Sequence, residues 1–249
     1  MTKKITIIIS LIIVLCFVYW LYFLGGINIF KPINTIGTNT DIKPIELCFA
    51  KYGKPYDDSG YYDKFTLRLL LSGEGGTNAT GELNFFPAQK DSKVGKFVGT
   101  VSPVDKMSMS RTADLWWNTF GEGMNVMEEQ RIIFGEGTAS VGFGGTADRG
   151  DGVYAYTENP DIHYTLTLND VSCSDLTERE NVEKYLKDNI ISLSPVKAVL
   201  GGSWHVLSNT IDLEKKSGTV MYEDGHIQEK KNFTYTTNEK GEVLSMIIN

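Results

Sequence analysis

Lys3 and Lys4 precede Ile5 to Leu24, a run of twenty residues without a charged side chain. At about 1.5 Å of rise per residue, such a run spans roughly 30 Å of hydrocarbon, which is one bilayer crossing. Tyr19, Trp20 and Tyr22 sit near its far end, where amphipathic rings favour the headgroup level, and the lysines favour a cytoplasmic N-terminus. The expectation is a signal anchor over residues 1–24, spanning the membrane through 5–24, with the rest of the chain outside the cytoplasm. A cleavable signal peptide is the rival reading, but its apolar region runs about 7 to 15 residues and ends in a small-x-small site. Here the exit reads Leu24-Gly25-Gly26-Ile27, and Cys16 follows Leu15 inside the run, unlike the cysteine of a lipid-anchored start. Each reading delivers the remainder outside, and whether the anchor is cleaved stays open.

That address gives the cysteines a meaning. Of three, Cys16 lies in the apolar run, and Cys48 and Cys173 bracket one long β-patterned region. Disulfides persist outside the cytoplasm, and closing so long a loop stabilises a fold by up to about 4 to 5 kcal/mol in the chain-entropy model. We expect them to pair, although two cysteines form no signature by themselves and two separate free thiols are the alternative.

Residues 25–45 (GGINIFKPINTIGTNTDIKPI) show no periodicity and read as a linker. From 46 to 173 the pattern has period two. Phe65, Leu67, Leu69 and Leu71 share one face of a strand over Phe65–Ser72, and the same logic gives Gly81–Phe86, Lys96–Ser102, Thr112–Thr119, Met127–Phe134, Thr138–Phe143, Gly152–Thr157 and His163–Leu168. Eight hairpin-linked strands imply an antiparallel barrel or sandwich, shapes that hide sheet edges. Gly135-Glu136-Gly137 marks a tight hairpin on its glycines.

Residues 174–249 change texture. Thr177-Glu178-Arg179-Glu180 fits a capping box, and Val182, Tyr185, Leu186 and Ile190 fall on one helical face before Ser194-Pro195. Strands over Trp204–Asp212, Gly218–Glu223, His226–Thr236 and Glu242–Ile248 follow, so the expected fold class is mainly β with a small α+β part, a helix plus a four-stranded meander. The order is similar to a cystatin-like sheet wrapped on a helix, a likeness of topology that implies no activity. No fixed-period repeat argues for a propeller or solenoid.

With 31 acidic against 24 basic residues, a net charge of -7 and no basic block, the chain lacks the footprint of nucleic-acid binding. His163, His205 and His226 show no metal or triad spacing. Gly142-Phe143-Gly144-Gly145-Thr146-Ala147 matches a dinucleotide fingerprint in form, but Asp148-Arg149-Gly150-Asp151-Gly152 cannot open the helix that fingerprint needs, so it reads as a turn. Arg149-Gly150-Asp151 is too short a match to assign adhesion. Asp148, Asp151, Glu158 and Asp161, with Asp57, Asp58 and Asp63, match no calcium loop, and Glu122, Glu128, Glu129 and Glu136 read as a solvated set rather than a glycosidase pair. Met107, Met109, Met124 and Met127 offer soft sulfur suited to Cu(I), but methionine is also a core and surface filler. Asn78-Ala79-Thr80 and Asn232-Phe233-Thr234 are sequons that matter only in a eukaryotic secretory route. No cofactor and no metal is assigned.

Pro87–Val101 (PAQKDSKVGKFVGTV), Arg111–Gly144, Arg149–Tyr156 (RGDGVYAY) and Tyr222–Gln228 (YEDGHIQ) resemble uncharacterised, N-terminally membrane-anchored proteins encoded by uncultivated bacteria. The resemblance implies a bacterial envelope address and carries over no activity, ligand or catalytic residue. The expectation is therefore a membrane-tethered extracytoplasmic binding or structural module, non-catalytic, whose partners are the membrane through residues 5–24 and an unknown envelope component or protein. Tyr61, Tyr62, Trp116 and Tyr154 are the candidate contacts, because aromatic side chains dominate recognition surfaces. The alternatives are an envelope hydrolase, or an inhibitor of one, using loop carboxylates, and a carrier of a small apolar ligand inside a hollow barrel.

Overall fold

A run of alternating strands exposes a row of unpaired amides and carbonyls at each edge unless the sheet closes on itself. The computed structural model describes residues 44–56, 60–88, 90–158 and 160–249, all within the compact unit Ile42–Asn249. The apolar run 5–24 and nearly all of the expected linker lie outside the described residues. Among the described residues, no helix is long and apolar enough to cross a membrane.

In chain order the elements are β1 (Ile45–Tyr52), β2 (Lys64–Ser72), β3 (Asn78–Phe86), β4 (Lys93–Val101), β5 (Arg111–Gly121), β6 (Met124–Gly135), β7 (Thr138–Phe143), β8 (Thr146–Asp148), β9 (Val153–Tyr156) and β10 (His163–Val171). Then come α1 (Cys173–Leu193), β11 (His205–Asp212), β12 (Ser217–Glu223), β13 (Gln228–Thr237) and β14 (Val243–Ile248). Strands β1 to β7 pair in sequence order, β10 bridges β7 and β1, and the circuit closes as an eight-stranded antiparallel barrel rather than a sandwich.

The expected number of barrel strands is met with a different membership. β1 belongs to the barrel, whereas the expected strand at Gly152–Thr157 forms β9, which pairs with β8 and lies parallel to β6 through Met127↔Val153 and Glu128↔Tyr154. The reason is burial on both sides of β1. Phe49 packs in the barrel interior, while Cys48 and Ala50, on the opposite face beside α1, are buried too. With both faces covered, IELCFAKY shows no alternation to read.

Phe49, Leu67, Leu69, Leu83, Phe97, Leu115, Trp117, Ile132 and Leu168 fill the barrel in one cluster. A Cβ on Gly81 would stand 1.9 Å from the Arg68 carbonyl oxygen and 2.6 Å from the Phe97 ring, so the bare glycine lets the wall bend while Phe97 occupies the interior. At the end of the barrel where β1 begins, Arg111 bridges two loops, its Nε donating to the Ser102 carbonyl at 2.7 Å and its Nη2 to the Gly76 carbonyl at 2.9 Å. The β5–β6 and β6–β7 hairpins turn on Glu122-Gly123 and Glu136-Gly137, whose φ values are 52°, 76°, 47° and 77°. Each turn therefore places a glutamate, as well as its glycine, in the left-handed region.

Cys48 and Cys173 are bonded, with sulfurs 2.11 Å and Cα atoms 5.2 Å apart. The bond sets the first residue of α1 beside β1. The helix begins at Cys173 rather than at the expected capping box, and the Thr177 hydroxyl donates to the Cys173 carbonyl at 2.8 Å instead of capping. Val182, Leu186 and Ile190 pack on Val220, Tyr222, Phe233, Tyr235 and Met246 of the antiparallel sheet β11-β12-β13-β14. On its barrel side, α1 is held by charged groups: Arg68 reaches Thr177 at 3.0 Å and Glu180 at 3.2 Å, and Lys64 pairs with Glu183.

Candidate functional site

Opposite residues on paired antiparallel strands point to the same side of a sheet, so the barrel register states what its interior contains at each level. On β5 the inward series runs Ala113, Leu115, Trp117, Thr119. Its β6 partners are Ile132, Gln130, Glu128 and Val126. On β4 the corresponding series ends at Lys93, opposite Phe85 of β3. The interior is thus mostly apolar from the Arg111 end to Trp117, with Gln130 as a buried polar exception, and becomes polar from the level of Trp117 and Glu128 outward. Trp117 forms the floor of this polar level, with its indole N–H on the Gly95 carbonyl at 3.1 Å and its ring edge-on to Phe85 at 5.2 Å.

Above that floor lies an open cavity of about 290 Å³, lined by the β3–β4 loop, the β5–β6 hairpin and Tyr154 of β9. The Lys93 ammonium meets both Glu128 carboxylate oxygens, at 2.5 and 2.6 Å, and stands 5.4 Å from the centroid of Trp117. Thr119 lines the cavity and is 1% exposed, and its buried hydroxyl has no hydrogen-bond partner among the described residues. Gln130, one level deeper, is satisfied by the Gly142 carbonyl at 2.6 Å. Met124 and Tyr154 contribute exposed apolar surface to the cavity, and Phe120, Met127 and Phe143 are exposed nearby on β5, β6 and β7.

The four candidate aromatics fall into two pairs. Tyr154 lines the cavity, and Trp116 lies on the outer face of β5, next to the floor residue Trp117, with the Arg149 guanidinium 5.8 Å from its ring. Tyr61 and Tyr62 lie instead in the β1–β2 connection, against Val206 and Ser208 of the second sheet. Tyr62 is edge-on to Tyr52 at 6.4 Å, and burial, the main cause, pushes both phenols up to about 12. They form part of the seam between barrel and sheet. Lys93 and Thr119 were not among the candidates. Their signal was a polar residue at an inward position of an otherwise apolar alternation, which becomes legible only once register is known.

Two of the candidate carboxylates share the cavity, beside Asp91, and the others lie apart. Glu122 and Glu128 border the mouth, Glu129 accepts the Tyr156 amide at 2.9 Å, Glu136 sits in the β6–β7 turn at the other end of the barrel, and Asp151 pairs with Arg149 at 3.1 Å at the β8–β9 tip. Asp148 accepts the amides of Gly150 and Gly152 at 2.7 and 3.3 Å, so it organises its own loop. A second groove, of about 430 Å³, runs between β2, β3 and α1. There burial raises the Glu180 carboxyl above its ordinary range, partly offset by Arg68. Gly144-Gly145 lie in the link between β7 and β8. Met107 and Met109 are separated from Met124 by the length of β5, about 33 Å at 3.3 Å per residue. Among the described residues, ligand atoms close enough to share an ion come from Glu46, Cys48 and Cys173, and both thiols are consumed by the disulfide.

The fold defines a closed eight-stranded barrel with a polar mouth, joined to a helix-backed four-stranded sheet. No family model matches the chain, and no curated protein or solved structure matches it either.

Proposed function

We propose that the protein is a membrane-tethered, extracytoplasmic binding module that takes its ligand at the open mouth of the barrel. The observation that carries this reading is the change at Trp117: the barrel is packed below it, and above it an open cavity is lined by the Lys93–Glu128 pair, Asp91, Glu122, Met124 and Tyr154. Mouths of barrels are preferred ligand sites because the scaffold holds convergent groups rigidly at a concave opening. The Cys48–Cys173 bond supports an oxidising address. β1 starts at the Arg111 end of the barrel, opposite the mouth. Phe97, Leu115 and Trp117 in the interior support a mouth site over a ligand held along the barrel axis. The commitment of Glu128 to Lys93 supports binding over hydrolysis.

The test compares the full-length, disulfide-intact protein with a Met124→Ser/Tyr154→Ala variant for retention of cell-envelope material. Selective loss in the variant is the expected result. Equal retention by both proteins defeats the reading. The tether is tested by protease treatment of intact cells, where digestion of the region after residue 44 is expected and full protection overturns the proposed topology.

A further inference from the structure

We infer that the edge strand β14 pairs antiparallel with β14 of a second copy of this chain, about a twofold axis at Ile247. An edge strand carries a row of unpaired amides and carbonyls, which natural proteins shorten, charge or cover. β8 is short and charged, three exposed residues ending on Asp148. β11 is covered, with Tyr61 and Tyr62 of the β1–β2 connection against its Val206 and Ser208. β14 has none of these protections. It pairs with β13 alone, and its six residues, Val-Leu-Ser-Met-Ile-Ile, include no charge and no proline. Leu244 and Ile247 are 66% and 61% exposed.

The bonds of β13 to its two neighbours fix which backbone groups of β14 face outward. The Asn249 amide donates to the Asn232 carbonyl at 2.9 Å, and on the far side of β13 the Tyr235 amide donates to the Lys216 carbonyl at 2.9 Å. By alternation, Ser245 and Ile247 direct their backbone groups to Thr236 and Thr234, while Met246 and Ile248 direct theirs out of the sheet. A second β14, set antiparallel with Ile247 opposite its own counterpart, places Met246 opposite the partner's Ile248 and Ile248 opposite the partner's Met246. Both residues of each pair then exchange their outward amide and carbonyl bonds. Ile247 meets the partner's Ile247 as a non-hydrogen-bonded pair, the kind with the closer side chains. Met246 and Ile248, 7% and 6% exposed, continue the apolar layer that packs on α1 into the partner's layer. Every cross-strand pair is apolar, and no like charges oppose one another in a chain of net charge -7. The register shift between Thr236 and Thr237 puts the irregular residue at Leu244, where this pairing stops. That match selects a second copy as the occupant, because the twofold axis makes β14 complementary to itself. Two such short segments bury less than the roughly 1,200 Å² of a stable interface, so the pairing is weak and reversible.

Sedimentation of the full-length, disulfide-intact protein in density-matched detergent should show a concentration-dependent equilibrium between monomer and dimer. Ile247→Lys and Ile247→Glu each set like charges face to face on the axis and should weaken dimerisation about tenfold. An equimolar mixture of the two variants should recover it, since opposite charges then meet at the same position. Ile247 is exposed, so neither variant should move the urea midpoint of the monomer. In a Cys16→Ser background, Ile247→Cys should crosslink to a dimer under mild oxidation. Ser245→Cys should not, because its counterpart across the axis lies about 13 Å away along the strand. The inference is overturned by a protein that stays monomeric up to about 1 mM, by a dimer indifferent to both charged variants, or by a mixture that fails to pair. Crosslinking through Ser245→Cys in place of Ile247→Cys also overturns it, because the register is then a different one.

Discussion

At the scale of single residues, the barrel wall depends on an absence and the helix seam on a pair. Gly81→Ala places a methyl group against the Arg68 carbonyl and the Phe97 ring. We expect it to destabilise the fold by about 1 to 3 kcal/mol through overpacking, read as a lower urea midpoint. Lys64 and Glu183 face each other with side chains 16% and 9% exposed. Lys64→Met strands a buried carboxylate, and its expected cost is about 3 to 5 kcal/mol, whereas Lys64→Met/Glu183→Leu together should recover most of the loss. A double variant as unstable as the single one would show that the charges themselves hold α1 to the barrel. Of the site residues, Glu128 and Tyr154 were legible as members of candidate sets, but Lys93 and Thr119 were not. Their role comes from facing inward at the open end of the barrel, a property of pairing rather than of residue type.

Elements show how local rules and long-range constraints divide the work. The β6–β7 hairpin turns on Glu136-Gly137 with Glu136 at φ 47°. Asn enters that region more readily than Glu, so Glu136→Asn should raise stability by about 0.5 to 1 kcal/mol in the same urea assay. The Cys48–Cys173 bond joins residues 125 apart. Its reduction should cost about 4 to 5 kcal/mol in the chain-entropy model, measured by comparing unfolding with and without reductant. An unchanged midpoint after full reduction would show that the barrel–helix contacts suffice alone. The capping-box expectation at Thr177 failed because the disulfide and β10 deliver the chain to Cys173 already positioned to begin the helix. β1 was missed because α1 covers its outer face and removes the alternation on which strand reading depends.

For the molecule as a whole, the seam between barrel, helix and second sheet contains the half-buried phenols of Tyr52 and Tyr62, both pushed up to about 12 from the ordinary value of 10.0, mainly by burial. Their folded-state values exceed their unfolded ones. The stability they contribute is therefore fully present below pH 10 and lost as pH rises through about 12. Tyrosinate absorbance should show a fraction of the phenols ionising late, together with the loss of near-ultraviolet dichroism that reports tertiary packing. Tyr62→Phe should remove one late-titrating phenol without moving the remainder to the ordinary range.

What the amino-acid order determined alone was local: the period-two segments, the turn at Gly135-Glu136-Gly137, the apolar helical face of Val182, Leu186 and Ile190, and a pairing of Cys48 with Cys173 inferred from their place in the chain. These follow from backbone sterics and side-chain periodicity within a few residues, or from the chemistry of a compartment. Tertiary structure alone decided that the sheet closes through β1 and β10, that the expected strand at Gly152–Thr157 hangs beside β6, and that Lys93, Thr119 and Glu128 meet above Trp117. Closure is a matter of register between strands far apart in the chain, with Cys48 of β1 opposite Val171 of β10. Which polar side chain finishes at an open mouth is fixed only when every strand has found its neighbour.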